Sequence, residues 1–435
     1  MKNIFFLALV PVILILSNCS FDEQFDPNAP NIESVTQDVA KGDLDLLVVG
    51  IEAGMRNGFG TYVTATGTIA RELYLFDADP RNTEDLLGKE GAVLDNNTFY
   101  LTAPFSTRYR VVKNCNLLLE ALENIDAITE EEKQGYRGFA NTIKGFMISQ
   151  VLAMLGDNGV RIDVADLNNL GPYVPPAQAY PQLLQLMDDA AAQLNGSTIS
   201  FALSSGFEGF DDAPGLILFN RALAARIATQ GGLYAEAFDY VNASFLDLNG
   251  DLDVGPKHIF STNPGDQLNP VFRRPGDNGD QIVVNPRIIN EIRSGDARFS
   301  KFRLRPNPST QDNLGGDYEG GLYETNVTPM DIIRNEELIL ILAEALIQTG
   351  GNTPDILQAL EAVRIPNGLG VYTGITDFDS LIDELLYNRT YSLWGEGQQM
   401  FDLRRYGRLN DTFLPIDRDG DQIFTQFPIP LTEGQ

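Results

Sequence analysis

The sequence predicts an all-α fold: a scaffold of paired helices interrupted by long irregular loops. Three observations predict it. Apolar residues recur at steps of three and four over long stretches. Helix starts and stops are marked by capping residues and Gly pairs. Alternating strand patterns are nearly absent. At 435 residues the chain is long enough to bury a large core.

The first element is not part of that scaffold. Lys2 precedes an uncharged apolar run from Phe5 to Leu16. The run is too short for a bilayer, which takes roughly 20 residues, and it has the form of a secretory signal. It closes on Leu16-Ser17-Asn18-Cys19, which resembles a bacterial lipobox, with Asn18 where Gly, Ala or Ser is usual. Residues 1–18 therefore read as a signal peptide and Cys19 as the acylated first residue of the mature chain, anchored stably by its acyl chains. Residues 19–35, with Asp22, Glu23, Pro27 and Pro30, read as a polar tether. Acidic residues directly after such a Cys resemble a surface-export signal, which predicts a lipid-anchored protein of the outer membrane, facing the exterior. Residues 36–435 read as one domain.

The helices follow in order. Ser106 to Asn124 is amphipathic and is followed by Thr129-Glu130-Glu131-Glu132, a capping box. Behind it Tyr136, Phe139, Ala140, Ile143, Met147, Val151 and Met154 mark one face of a long helix. The short turn between the two predicts an antiparallel hairpin. Leu183 to Leu194 is the next helix. Leu216 to Thr229 runs into Gly231-Gly232-Leu233-Tyr234-Ala235-Glu236-Ala237, the helix–Gly–helix pattern of tetratricopeptide-like pairs. Glu336 to Gln348 is stopped by Gly350-Gly351, and Thr353-Pro354 reads as the cap of a helix over Asp355 to Arg364. Residues 54–104 and 246–330 read as long irregular loops, and loops of that length are usually functional.

The formal net charge of −29 argues against a nucleic-acid partner. The only histidine, His258, lies in a loop with no Cys or His beside it, so metal-hydrolase and triad chemistry are not expected. No phosphate-binding loop, dinucleotide fingerprint or nucleophile elbow is present, and the chain reads as a non-enzyme. Cys115 falls on the stripe Val111, Cys115, Leu118, Leu122 and reads as a buried thiol.

The last hundred residues carry a more specific pattern. It comprises Arg334-Asn335-Glu336-Glu337-Leu338 with Ala343-Glu344-Ala345, then Ala359-Leu360-Glu361-Ala362-Val363-Arg364. Next come Leu393 and Glu396-Gly397, Phe401-Asp402-Leu403-Arg404-Arg405-Tyr406-Gly407, and finally Phe427-Pro428-Ile429-Pro430. With Gly295-Asp296-Ala297-Arg298 upstream and the lipobox, this order resembles the SusD/RagB family, and the motif region spans about 330–435. Asn388, Thr390, Ser392 and Gly395 depart from the family pattern, which predicts a thinner charged cluster. The resemblance implies a SusD-like fold and a non-catalytic, surface-exposed nutrient-binding lipoprotein. Its implied partners are a SusC-like, TonB-dependent outer-membrane transporter and an oligosaccharide. The alternatives are a peptide ligand, as for RagB-type relatives, or a tetratricopeptide-type protein-interaction scaffold.

Arg334, Glu344, Arg364, Glu396, Asp402, Arg404 and Arg405 read as a structural ion-pair network, because Arg pairs carboxylates bidentately. Trp394, within the same motif, reads as a core anchor. Ring-bearing and hydrogen-bonding candidates for the ligand come from the loops: Tyr62, Tyr74, Phe76, Phe272, Arg273, Tyr318 and Tyr323. No cofactor is implied, except that Asp247, Asn249, Asp251 and Asp253 flank Gly250 as calcium-loop oxygens do. The same residues equally form solvated Asx turns.

Overall fold

The computed structural model describes residues 39–433. The signal segment 1–18, Cys19 and the tether 19–35 lie outside the described residues. The fold is mostly helical, and the helices stack in chain order. Helices α1 (Lys41–Met55) and α2 (Phe59–Ile69) both lie on α3 (Phe99–Glu123). α3 and α4 (Glu130–Leu155) form the predicted antiparallel hairpin, tied by Arg108 to Gln150 at one end and Arg137 to Glu123 at the other. The expected capping box is present. Thr129 Oγ1 accepts from the Glu132 amide at 3.2 Å, and Glu132 Oε2 accepts from the Thr129 amide at 2.8 Å.

α5 (Pro176–Leu194) approaches α4 closely because α4 presents glycine there. A Cβ on Gly138 would fall 2.5 Å from Leu194 Cγ, and one on Gly145 2.8 Å from Met187 Sδ. α6 (Ala213–Gln230) and α7 (Tyr234–Asn242) make the next pair. α8 (Asn335–Thr349) packs on α7, on α9 (Thr353–Arg364) and on α10 (Phe378–Ser392), and its residues 335–347 are all buried. α8 ends at Gly350, in the left-handed region at φ 73°. The cap of α9 is Asn352, one residue before the expected Thr353, because its Oδ1 accepts from the Asp355 amide at 3.0 Å. A short helix α11 (Gln399–Arg405) closes the scaffold against α2 and α6.

The expected loops depart from expectation in two places. Residues 54–104 contain α2 and strand β1 (Leu73–Phe76). α2 is buried almost all round, so it lacks the polar face that gives an amphipathic period. Residues 246–330 supply the rest of an antiparallel sheet: β2 (Gln281–Val284), β3 (Phe302–Gln311) and β4 (Leu314–Gly320), in the order β1-β2-β4-β3. β1 pairs β2 in the register Leu73 to Val284. β3 and β4 are joined by the two residues Asp312 and Asn313, at φ 54° and 61°. Two successive positive φ values make a tight hairpin turn whose twist matches that of the strands. The register slips between Leu304 and Ser309, where Pro306 and Pro308 cannot donate to a ladder.

Candidate functional site

The tail motif builds a buried charge network, anchored by the ends of α8, α10 and α11. Arg334 is its hub. Nη1 donates to Glu396 at 2.6 Å, and Nη2 donates to Glu336 at 2.8 Å and to the Ser392 carbonyl at 2.6 Å. Burial alone would lower the Arg334 pKa, but Glu396, Glu336 and Asp331 together hold it well above the ordinary value. Burial likewise opposes ionisation of Glu336, yet Arg334, Lys301 and the Ser392 hydroxyl hold its pKa at about 2. Arg405 clasps Glu344 and also reaches Asp402, which takes a second arginine, Arg389, at 2.7 Å. Arg364 pairs with Glu384, and Arg298 with Asp296 at 2.7 Å.

Arg404 stands apart from these pairs. Its guanidinium lies 5.4 Å from the Phe401 ring centroid, and it donates to the Thr425 carbonyl at 3.2 Å. Two of the positions that depart from the family pattern join the network through neutral side chains. Asn388 Oδ1 and Ser392 Oγ both accept from Arg298, so neutral acceptors replace charged ones.

Above this hub lies a cleft of about 630 Å³. Its walls come from the 252–257 segment, from 297–301 and from 322–331, and its floor from Arg334, Glu336, Asn367 and Glu396. The cations on it are Lys257, Arg298, Lys301 and Arg334; the carboxylates are Asp253, Asp331, Glu336 and Glu396. The two sets balance. Lys257 pairs with Asp331, and Lys301 donates to the carbonyls of Tyr391 and Ser392. Burial, then the Arg334 charge, lowers the Lys301 pKa. Such a surface offers many fixed donors and acceptors and little net charge.

The structure gathers residues that the sequence had singled out for different reasons. Tyr323, Asp253, Arg334 and Glu396 all line the cleft. Phe272 and Arg273 join Tyr323 and Trp394 around an adjoining crevice. Some of the loop candidates and the tail motif therefore meet here rather than standing apart. Lys257, Lys301 and Asn367 were not singled out; Lys257 sits beside the lone histidine, and no signal marked the other two.

The remaining ring candidates lie elsewhere. Tyr62, on α2, is buried against Phe401 with the Arg108 guanidinium 4.9 Å from its ring centroid. Tyr74 and Phe76 are buried in β1, their rings stacked at 5.6 Å, and the Tyr74 hydroxyl donates to Asp417 at 2.6 Å. These three rings are packed into the interior and offer no open face, because the segment assigned to a loop is helix and strand. Tyr318, on β4, packs edge-on to Phe299 at 5.6 Å and lines a separate hollow.

The 247–253 loop is built as Asx turns. Asp247 Oδ1 accepts from the Asn249 amide at 2.9 Å, and Asp251 Oδ1 from the Asp253 amide at 3.0 Å. Asn335 Nδ2 ties the carbonyls of Asp247 and Asp251 to α8. Among the described residues no group of three or more His, Cys, Asp or Glu is placed to hold a metal ion. His258 is buried edge-on against Phe59, and burial, with the charges of Arg56 and Arg108, pushes its pKa down to about 3. Cys115 is buried, its pKa pushed up to about 12. Trp394 is a core residue: its indole N–H donates to the Glu72 carbonyl at 3.3 Å and its ring meets Phe302 edge-on.

Comparison with known proteins agrees with this architecture. No curated protein matches the sequence. Residues 311–430 match the SusD family. Among solved structures, the fold is similar to a SusD superfamily protein from Bacteroides vulgatus. That protein is 16% identical with a TM-score of 0.66, over 92% of this chain and 97% of that one. It is also similar to surface glycan-binding protein A from Bacteroides thetaiotaomicron in complex with laminarihexaose. There the identity is 14% and the TM-score 0.70, over 90% and 97% of the two chains. A SusD superfamily protein from Parabacteroides distasonis is 15% identical with a TM-score of 0.68, over 90% and 96%. The resemblance read from the tail motif is thus matched twice: residues 311–430 carry the SusD family signature, in a chain whose helical scaffold is the SusD fold.

Proposed function

We propose that this chain captures an oligosaccharide at the cell surface and presents it to a SusC-like, TonB-dependent outer-membrane transporter. The observation that carries the reading is the charge-balanced, hydrogen-bonding cleft over Arg334. A neutral glycan is dense in hydroxyl groups that both donate and accept, and it can be bound without stripping any buried ion of its partner. The SusD family match in 311–430 and a similar fold in complex with laminarihexaose support it. The cleft carboxylates are engaged with cations, and the lone histidine is buried and neutral; both suit a binder rather than a catalyst. The lipid anchor read at Cys19 would hold the ligand at high effective concentration over the transporter, so that moderate affinity suffices.

Calorimetry with the full chain against a panel of neutral oligosaccharides, laminarihexaose first, tests the ligand. Saturable binding is expected. Lys257→Ala, which removes a half-buried donor from the cleft wall, should lower it by roughly tenfold, the effect of losing about 1.4 kcal/mol of charge-assisted hydrogen bonding. Binding of acidic or basic peptides with no response to any glycan would overturn the reading. Solubilised membranes tested by pull-down through this chain should yield a large barrel protein, and Cys19→Ala should release the chain from membranes.

A further inference from the structure

The chain carries five Asn-Gly pairs: Asn57-Gly58, Asn195-Gly196, Asn249-Gly250, Asn278-Gly279 and Asn367-Gly368. Each contains the elements of one intramolecular reaction, attack of the glycine nitrogen on the asparagine side-chain carbonyl carbon. Glycine shields that nitrogen least, because it has no Cβ. What differs between the pairs is their surroundings. The Gly250 and Gly368 amides donate to the backbone carbonyls of Asp247 and Ile365, at 3.3 and 3.1 Å. Gly279 instead donates to a carboxylate, Asp277 Oδ1, at 3.0 Å.

The electrophile is held as well. Asn278 Oδ1 accepts from Arg305 Nη2 at 3.1 Å. Arg305 is buried and fixed: Nη1 is paired with Glu319, and Nη2 also donates to the Asp277 carbonyl at 2.9 Å. Residues 277–279 themselves are exposed to water. A Cβ on Gly279 would meet only Asp277 Oδ1, at 3.6 Å, so the flank of its nitrogen is open. Among the described residues this is the one Asn-Gly pair with a carboxylate on the nucleophile and a guanidinium on the carbonyl oxygen. Those are the positions of a general base and of an oxyanion donor.

We propose that Asn278-Gly279 is a self-modifying site, which deamidates through a succinimide with Asp277 as base and Arg305 as oxyanion donor. Asp277 takes the Gly279 amide proton as the nitrogen bonds to Asn278 Cγ, and the carbonyl electron pair moves to Oδ1, facing Arg305. The pair then returns, the Cγ–Nδ2 bond breaks, and Nδ2 leaves as ammonia with the proton from Asp277. Water opens the ring at either carbonyl, giving aspartate or isoaspartate. Water enters, ammonia leaves and nothing is oxidised. The product places a carboxylate beside Arg305, and isoaspartate adds a methylene to the backbone of the loop that joins Arg273, in the crevice, to β2. The inference does not rest on the ligand assigned to the cleft.

Incubation of the full chain in water enriched in heavy oxygen, in warm neutral buffer, with peptide mass spectrometry over time, tests it. Residue 278 should convert about tenfold or more faster than the asparagines of the other four pairs, and than the same bond in a synthetic peptide of residues 274–281. Each product molecule should carry one solvent oxygen. Asp277→Asn keeps an acceptor for the Gly279 amide but removes the base, and should slow conversion by about tenfold or more. Arg305→Lys, which keeps the charge but not the reach, should slow it too; if that variant does not fold, the exposed Asp277→Asn decides the matter. Conversion no faster than in the peptide, or a rate that Asp277→Asn leaves unchanged, would overturn the proposal.

Discussion

Arg405 and Glu344 meet edge to edge in the interior: Nε donates to Oε1 at 2.7 Å and Nη2 to Oε2 at 2.9 Å. The Tyr406 hydroxyl adds a third bond to Oε1 at 2.9 Å. This clasp fastens α11 to the centre of α8. Removing one member strands the other as a buried, uncompensated charge. Arg405→Met should therefore cost about 3–5 kcal/mol in urea unfolding, and the double variant Arg405→Met, Glu344→Leu should recover most of it. Equal losses in the single and double variants would show that packing, not the charge pair, matters here.

Glu72 should make stability pH-dependent in an unusual direction. Its carboxyl is buried, Oε1 accepts from the Gly395 amide at 2.7 Å, and Oε2 has no partner. Burial raises its pKa from 4.5 to about 8. Between those values the folded state holds a proton that the unfolded state has released. Stability is therefore fully present below the unfolded value and falls as pH rises, by at most about 1.4 kcal/mol per pH unit, levelling off above about 8. Glu72→Gln, which keeps an acceptor for Gly395, should flatten that fall in denaturant titrations run from pH 4.5 to 9. Parallel profiles for the two proteins would contradict the assignment.

The hairpin turn offers a cleaner backbone test. Asn313 sits at φ 61°, a conformation that costs most L-residues roughly 1–2 kcal/mol. Asn313→Gly should leave the melting temperature within a degree or two of wild type. Asn313→Val should lower stability by about 1–2 kcal/mol.

Calcium and chelator should give the same melting curve. The carboxylates of Asp247 and Asp251 already cap amides within their own loop, so a cation gains no preassembled cage there. A calcium-dependent rise in melting temperature that Asp251→Asn abolishes would restore the metal reading.

The helices were legible where burial is one-sided or a stop signal stands at an end: Tyr136, Phe139 and Ile143 repeat on one face of α4, Thr129 announces its start, and Gly350 ends the fully buried α8. The sheet was not. Every residue of β1 and of β2 is buried, so neither alternates, and a four-residue apolar run fits helix or strand equally. β3 is broken by Pro306 and Pro308, and β4 carries Gly315, Gly316 and Gly320. Asp312-Asn313 was the one local clue. For the cleft, the sequence singled out Tyr323 as a ring, Asp253 as an oxygen ligand, and Arg334 and Glu396 as motif positions. Their convergence depends on the tertiary path of the chain, which no local pattern encodes.

That path also sets an order of events. β1 has no strand partner in its own stretch of chain; it pairs with β2, whose residues lie some two hundred positions later. Arg71 and Glu72, just before it, are held by Asp417 and by the Trp394 indole, 346 and 322 positions away. A chain emerging from its amino end can wind α3 and α4 into a hairpin at once. Residues 71–76 can reach their strand partner and their distant side-chain partners only after the later segments exist. Closing loops of that span is slow, and a waiting strand is an invitation to the wrong neighbour. Whatever shields the newly made chain therefore has one short segment to protect above all others.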